Sequence, residues 1–237
     1  MNKILNSLSK PARGGDVVMS VRDIKKSFLE GGQPLHILRG GGFDLHRGEI
    51  IALVGPSGCG KSTLLQCVGL LDRPTSGSIL IAGTPVHKMS EDQRTLVRRK
   101  KIGFVYQRHN LLDDFSALEN VAMPMLADGA DEESAEIRAK KLLKSANVLH
   151  RASHRPGEMS GGEQQRTAVA RALANDPDVL LADEPTGSLD PANAAAVFDL
   201  LLNLVRQNKM AMLFVTHDMN LASRADRTIT ITNGIVG

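Results

Sequence analysis

A glycine-rich segment between two apolar runs restricts the fold of this chain more than any other feature. It covers residues 55–62, GPSGCGKS, directly after the apolar run 50–54 and directly before a helical pattern at 63–68. Glycines in this position let the backbone turn sharply from a buried strand into a helix. Further apolar runs of strand length alternate with helical patterns and lie at 17–21, 102–106, 179–182 and 212–216. Nearly unbroken apolar runs are typical of strands buried on both faces, so the alternation predicts an α/β fold with a mostly parallel sheet.

Three segments outside the glycine-rich region have clear patterns of their own. An apolar stripe in residues 197–204 predicts a helix, and residues 131–148 also have a helical pattern. Residues 228–232 alternate between apolar and polar, and Asn233-Gly234 follows them as a turn signal. The chain is therefore expected to end in a hairpin with one solvated face.

Composition excludes several classes of protein. The chain has 237 residues, 42% of them hydrophobic, which is enough to bury a core. The formal charge of +3 is too small to indicate a nucleic-acid or anionic-membrane partner. Cys59 and Cys67 are too few for a disulfide framework or a four-ligand zinc site.

No apolar run approaches the roughly 18 residues of a membrane-spanning helix, and the first residues lack the apolar stretch of a secretory signal, so a cytosolic chain is expected. Residues 1–16 are expected to be a flexible tail, and residues 17–237 the folded domain.

The glycine-rich segment matches the phosphate-loop pattern. Its backbone amides can approach phosphate oxygens that a Cβ would keep away, and the helix that follows adds partial positive charge. Lys61 is expected to neutralise the β- and γ-phosphates, and the Ser62 hydroxyl to ligate Mg²⁺. The expected nucleotide-binding residues are Gly55, Pro56, Ser57, Gly58, Cys59, Gly60, Lys61, Ser62 and Thr63.

Polar residues follow three of the predicted strands. In an open parallel sheet, ligands bind beyond the carboxyl ends of the strands. Asp183 and Glu184 follow the run 179–182, where the first carboxylate can hold Mg²⁺ and the second can polarise an attacking water. His217 follows the run ending at 216 and is expected to contact the γ-phosphate, and Gln107 is expected to sense the metal and the water.

A second helix start has its own anion-binding character. Ser160-Gly161-Gly162-Glu163 has the Ser-x-x-Glu spacing of a capping box. Two glycines in a first helical turn cost about 1 kcal/mol each relative to alanine, which indicates close approach of another group to the backbone. A chain with one phosphate loop and a separate anion-binding helix start can use the latter on the nucleotide of a second copy, so a dimer is expected.

In this order the motifs resemble those of ATP-binding cassette (ABC) ATPases, and the resemblance extends from about residue 17 to the end. It implies a P-loop core, an antiparallel β subdomain, a helical subdomain at about 108–166 that contacts integral membrane subunits, and two copies that enclose ATP and Mg²⁺ between them. By this resemblance Phe28 stacks on adenine; Gln107 and Asp183 serve the metal together with Ser62; residues 159–163 form the signature; Asp190 ends the segment 188–190 at the interface; Glu184 is catalytic; and His217 is the switch histidine. Met159 stands where the family has Leu, and Glu163 where many members have Gln.

Segments 106–112, 117–124 and 154–163 are most similar to the ABC ATPases that serve bacterial lipoprotein release. This resemblance implies a peripheral subunit at the cytoplasmic face of the inner membrane that drives lipoproteins toward the outer membrane. Macrolide-export and cell-division ATPases share parts of these segments and remain alternatives. A phosphate-loop kinase and a regulatory or scaffolding ABC protein also compete with this interpretation. The basic run 98–101 is expected to be a solvated face, and no nucleic-acid partner is expected.

Overall fold

The structure is a computed structural model, and it describes residues 16–237. Apart from Asp16, the tail expected at residues 1–16 lies outside the described residues. The strands and helices follow one another as β1 (Val17–Glu30), β2 (Gln33–Gly41), β3 (Phe43–His46), β4 (Ile50–Val54), α1 (Lys61–Val68), β5 (Ser76–Ile81), β6 (Thr84–Pro85), α2 (Glu91–Lys101), β7 (Ile102–Tyr106), α3 (Ala117–Ala127), α4 (Glu132–Ser145), α5 (Gly161–Ala172), β8 (Val179–Asp183), α6 (Pro191–Gln207), β9 (Ala211–Val215), α7 (Met219–Ala222), β10 (Arg227–Thr232) and β11 (Ile235–Val236).

The described chain divides into two compact units, one of residues 16–98 with 211–237 and one of residues 99–210. In the first unit β4 lies between β9 and β10 and pairs with both in parallel. β1 pairs in antiparallel fashion with β2, β3 and β5, and β11 joins β2. The parallel strands β4 and β9 are buried along nearly their whole length. Their carboxyl ends lead directly into Gly55 and Thr216.

The second unit contains the parallel pair β7 and β8 and most of the helices. β7 and β8 are in register from Ile102 with Val179 to Tyr106 with Asp183. α5 packs closely on β7: a Cβ built on Gly103 would stand only 2.3 Å from the carbonyl oxygen of Ala172. The faces of α3, α4 and α5 meet in an apolar cluster that includes Val121, Ala139, Leu143, Met159 and Ala170.

The predicted fold class is confirmed: core strands pair in parallel, a separate set pairs in antiparallel fashion, and helices are inserted between β7 and β8. The C-terminal hairpin is also present, with Asn233 and Gly234 at φ 51° and 79° in the turn. Ile229 and Ile231 face the core while the alternate residues of β10 are exposed. The subdomain expected at about 108–166 stays a prediction; α3, α4 and the start of α5 fall in that range.

The basic run 98–101 is only partly exposed to solvent, and its side chains are engaged with the rest of the fold. Its side chains donate to the carbonyl oxygens of Leu70 and Ala127, at 2.8 and 2.7 Å, and form ion pairs with Asp128 and Asp178. These contacts connect the run to the end of α1 in the first unit, and to the end of α3 and the start of β8 in the second. None of the helices in residues 16–237 has both the length and the apolar character needed to cross a bilayer.

Candidate functional site

The candidate site of the first unit is the start of α1. Its N-cap is Gly60, at φ 106°, and no side chain within residues 16–237 caps the helix. The first turn, Lys61-Ser62-Thr63, contains no acid. The N–H groups of a first helical turn have no acceptor within the helix, and together they carry partial positive charge. The start of α1 therefore offers donors and positive potential to an anion.

Glycines and Lys61 shape the loop before α1. Gly58 is exposed at φ 75°, and no described atom lies within 4 Å of a Cβ built on it. Lys61 Nζ donates to the carbonyl oxygens of Gly55 and Pro56, at 2.9 and 2.8 Å, which holds the ammonium group across the mouth of the loop. A Cβ on Gly55 would stand 2.8 Å from Cys59 Sγ, so Cys59 packs against the loop backbone. The loop is thus open at Gly58 and carries one cationic side chain, Lys61.

Phe28 and His217 lie in the same unit as the loop. Phe28, 41% exposed, pairs with Leu35 across the β1–β2 hairpin, and Lys26 Nζ lies 4.8 Å from its ring centroid. β2 also reaches the loop, because a Cβ on Gly60 would meet Leu38 at 3.0 Å. His217 is exposed and follows β9, the parallel neighbour of β4. Parallel pairing brings the carboxyl ends of β4 and β9 to one edge of the sheet, where both the loop and His217 begin.

The second unit has its own group of candidate residues, at the end of β8. Asp183 ends the strand, and Glu184 follows it at φ 45°, a left-handed conformation that is uncommon for a residue with a side chain. Such conformations cost about 1–3 kcal/mol and cluster at functional sites. A Cβ on Gly187 would stand 2.9 Å from Gln107 Nε2 and 3.2 Å from Glu184 Oε2. The Gln107 amide and the Glu184 carboxylate therefore converge on Gly187.

Two residues fix this convergence: Gln165, which the sequence analysis missed, and Ser188, which it named only as part of the segment 188–190. Gln165 of α5 is 1% exposed, and its Nε2 donates to the carbonyl oxygens of Tyr106 and Pro185, at 2.8 and 2.7 Å. Ser188 Oγ donates to the carbonyl oxygen of Gln107 at 2.8 Å. These bonds tie the carboxyl ends of β7 and β8 to α5. The only signal in the sequence was a polar residue on an apolar face of a helix that begins with the signature.

The start of α5 has the capping box that its sequence predicts. Ser160 Oγ accepts from Glu163 N at 3.3 Å, and Glu163 Oε2 accepts from Ser160 N at 2.8 Å and Ser160 Oγ at 2.9 Å. Glu163 Oε1 accepts from Arg151 Nε at 2.8 Å and lies 3.2 Å from His150 Nε2. Hydrogen bonds from Arg151 and from the Ser160 backbone lower the pKa of Glu163 to about 2. Glu163 is therefore a stable anion at the helix start.

The two glycines of α5 differ in what surrounds them. A Cβ on Gly162 would stand 2.9 Å from Asn193 Oδ1, whereas one on Gly161 would meet only Leu189, at 3.5 Å. Asn193 belongs to the first turn of α6, where Asp190 is the N-cap and accepts from Asn193 N and Nδ2. Packing within the chain therefore explains the glycine at 162, because it lets α5 lie close to α6. Only the exposed Gly161 leaves room for an external group.

The residues present fit a nucleotide and Mg²⁺. The cradle at Gly58 and the uncapped start of α1 suit phosphate oxygens, and a Cβ would narrow that approach. Oxygen atoms, the donors that Mg²⁺ prefers, are present in each unit: the hydroxyl of Ser62 in the first, and the carboxylate of Asp183 and the amide of Gln107 in the second. Burial raises the pKa of the Cys67 thiol to about 11, so this buried thiol is not a nucleophile at neutral pH.

The fold and the site define an ATP-binding cassette, and comparison with known proteins agrees. A family model described as ABC transporter matches residues 38–187, and the chain belongs to that family. The chain is therefore a nucleotide-binding ATPase of the cassette type. A solved dimeric cassette, MJ0796 in a post-hydrolysis state bound to ADP and Pi, is 37% identical, with a TM-score of 0.84 over 92% of this chain and 96% of that one.

The curated relatives are more similar in sequence. A lipoprotein-releasing system ATP-binding protein LolD from Novosphingobium aromaticivorans is 51% identical over 93% of this chain and 99% of its own length. A protein of the same name from Paramagnetospirillum magneticum is 49% identical over 92% of this chain and 96% of its own length. The resemblance to ABC ATPases, and to the branch that serves lipoprotein release, is thus confirmed.

Proposed function

We propose that this chain is the ATP-hydrolysing subunit of a complex that releases lipoproteins from the bacterial inner membrane toward the outer membrane. The similarity to LolD proteins over nearly the whole of both chains supports this substrate. The subunit would sit peripherally on the cytoplasmic face and act on integral membrane subunits like LolC and LolE. Macrolide-export and cell-division complexes remain the alternatives for the same cassette.

One observation carries the proposed hydrolysis: the strained Glu184 at the end of β8 shares the space over Gly187 with the Gln107 amide. In the proposal the Glu184 carboxylate accepts a hydrogen bond from a water and directs it at the γ-phosphorus, and Gln107 orients the same water. The water oxygen bonds to the γ-phosphorus as the bond from that phosphorus to the bridging oxygen breaks, and the Glu184 carboxylate takes the proton of the water, giving ADP and phosphate. Mg²⁺, held by Ser62 and Asp183 with Gln107 beside it, would neutralise the charge that develops on the phosphate oxygens.

The remaining residues of the proposal bind and orient. The backbone N–H groups of residues 55–63 other than Pro56, together with Lys61 Nζ, hold the triphosphate, His217 contacts the γ-phosphate, and the Phe28 ring stacks on adenine. A second copy supplies Ser160, Gly161, Gly162 and Glu163 to close the site, with Asp190 at the same interface. The dimeric assembly of the related cassette supports this arrangement. The two copies and two nucleotides then form one unit that pushes on the membrane subunits.

A single purification tests the proposal. The chain with Glu184→Gln is tagged and purified from native membranes in mild detergent, beside the parent and the surface variant Glu133→Gln. We expect two integral proteins with large periplasmic domains to accompany all three, and ATP turnover to fall about 1,000-fold in Glu184→Gln alone, because the amide cannot act as the base. Parental turnover in Glu184→Gln would refute the catalytic assignment. A single homodimeric permease would favour a macrolide-type exporter.

A further inference from the structure

Glu163 places a full negative charge at a helix start that is proposed to meet a triphosphate. Its side chain is 19% exposed, and one oxygen is used entirely on Ser160. A capping carboxylate stabilises an isolated helix, but an unneutralised one repels a polyanionic ligand. A glutamine would cap without that charge. The proposed role of this helix start therefore requires that the charge of Glu163 be balanced by a cation.

Arg151 is the cation best placed to do this. Its Nε donates to Glu163 Oε1 at 2.8 Å, and its Nη1 lies 3.2 Å from His154 Nε2, so the guanidinium is held at two points. Arginine keeps its charge at every physiological pH. His150 also reaches Glu163 Oε1, but its side chain is 61% exposed and it carries charge only when protonated.

The backbone beside Arg151 is itself fixed. Ala117 N donates to the carbonyl oxygen of His154 at 2.8 Å, and Leu118 N donates to that of Ala152 at 2.9 Å. These two bonds anchor the segment 152–154 to the first turn of α3. Arg151 thus projects from a segment that is bonded to α3 and reaches the capping acid of α5.

We propose that Arg151 is a positioning residue for nucleotide closure: by neutralising Glu163 it lets the start of α5 accept the triphosphate bound by the second copy. The inference rests on the proposed function, because it assumes that α5 faces that nucleotide. It assigns Arg151 no contact with ATP. Its effect depends on Glu163, and this dependence separates it from a general role in folding.

The test measures dimer formation by light scattering as the ATP concentration is raised. The parent here is the full chain carrying Glu184→Gln, and every variant is made in it. We expect Arg151→Gln to raise the ATP concentration for half-maximal dimerisation about tenfold, the effect of one uncompensated charge. Measured against Glu163→Gln alone, the double variant Arg151→Gln with Glu163→Gln should change this ATP concentration by less than about twofold, because the charge that Arg151 balances is gone. Lys140→Gln removes another cation–carboxylate pair, the exposed one with Glu136 on α4, and should leave the ATP concentration for half-maximal dimerisation unchanged.

Gly161→Asp separates failure of this inference from failure of the proposed function. The position is exposed and its Cβ has room, and an acid in a first helical turn favours the helix, so the variant should fold. It should nevertheless abolish dimerisation. If Gly161→Asp dimerises like the parent, the proposed function and this inference are both wrong. If Gly161→Asp fails but Arg151→Gln matches the parent, or Arg151→Gln still raises the ATP concentration about tenfold in the Glu163→Gln background, only the inference is wrong. Melting temperatures without nucleotide verify folding.

Discussion

The helices α1 and α5 both begin beside glycines, but they satisfy their first N–H groups in opposite ways. α1 starts at Gly60, which has no side chain to offer, and it follows an open loop. α5 starts at Ser160, whose hydroxyl and the carboxylate of Glu163 cap each other's backbone. An uncapped start leaves its donors for a ligand, whereas a capped start needs none. Glycine content alone therefore does not identify an anion site.

The electrostatics of the two starts differ in the same sense. The first turn of α1 carries Lys61 and no acid, so positive charge and helix dipole act together. The first turn of α5 carries Glu163, whose charge is balanced by Arg151. α1 is thus equipped to bind an anion within one chain. α5 holds only a balanced charge, which suits a surface that adds to a ligand already held elsewhere.

The largest expected effect on stability lies at the start of α1. Gly60→Ala should lower the free energy of unfolding by about 2 kcal/mol, because alanine is strained at a positive φ and its Cβ would stand 2.9 Å from Ile37 Cγ2. Urea unfolding measures the change. Gly58→Ala is the matched control: its φ is also positive but its Cβ meets no described atom, so it should cost about 1 kcal/mol. Equal costs would show that the contact with β2 is unimportant.

A smaller effect is expected at α5, where the two glycines should behave differently. Gly162→Ala should destabilise the protein by about 1 kcal/mol, because the gain in helix propensity is outweighed by overlap with Asn193. Gly161→Ala should be neutral or slightly stabilising. In an Asn193→Ala background the cost of Gly162→Ala should disappear, and a double-mutant cycle from urea unfolding measures this coupling. A cost that persists without the Asn193 side chain would contradict the packing explanation.

Much of the fold was predictable because local pattern and final environment agree. β4 and β7 have the bounds of their apolar runs, and the capping box at Ser160 is present. β2 and α3 were not predicted. β2 is exposed over its first half, so its pattern is weak, and its position depends on pairing with β1 and β11. Ile137 fits the apolar pattern of α4 but is 48% exposed, because the buried face is made by alanines and Leu143.

The candidate site was predictable in its motifs but not in its supports. The phosphate loop and the residues after β8 follow from strand ends and spacing alone. Gln165 and Arg151 were missed, and Ser188 was named only within the segment 188–190. Gln165 and Ser188 bind backbone carbonyls 59 and 81 residues away, and Arg151 binds an acid 12 residues away, beyond the span of a helical repeat. Such contacts depend on how the chain folds back and leave no periodic signal. The packing of Gly162 against Asn193 was missed because it, too, depends on how the chain folds back.

The smallest expected effect is a pH dependence that belongs to the start of α5. The folded pKa of Glu163, about 2, lies below its ordinary value of 4.5. As pH falls below 4.5 the unfolded chain therefore takes up the proton first, and the stability contributed by this carboxylate is lost between pH 4.5 and pH 2. The parent should melt above Glu163→Gln at pH 7, and the difference in melting temperature should shrink steadily at pH 4 and pH 3.

Glu119 supplies the matched control because it forms the same capping box with Ser116 at the start of α3. Its pKa is also lowered, mainly by the hydrogen bond from the Ser116 backbone, and Arg155 acts on it only through charge at a distance. The difference in melting temperature between the parent and Glu119→Gln should therefore be smaller at pH 7 than that for Glu163→Gln, since no arginine donates to Glu119 within residues 16–237. If the two differences were equal, the Arg151 bond would add nothing to the capping box. The contrast between α1 and α5 would then rest on capping geometry, with no part for charge balance.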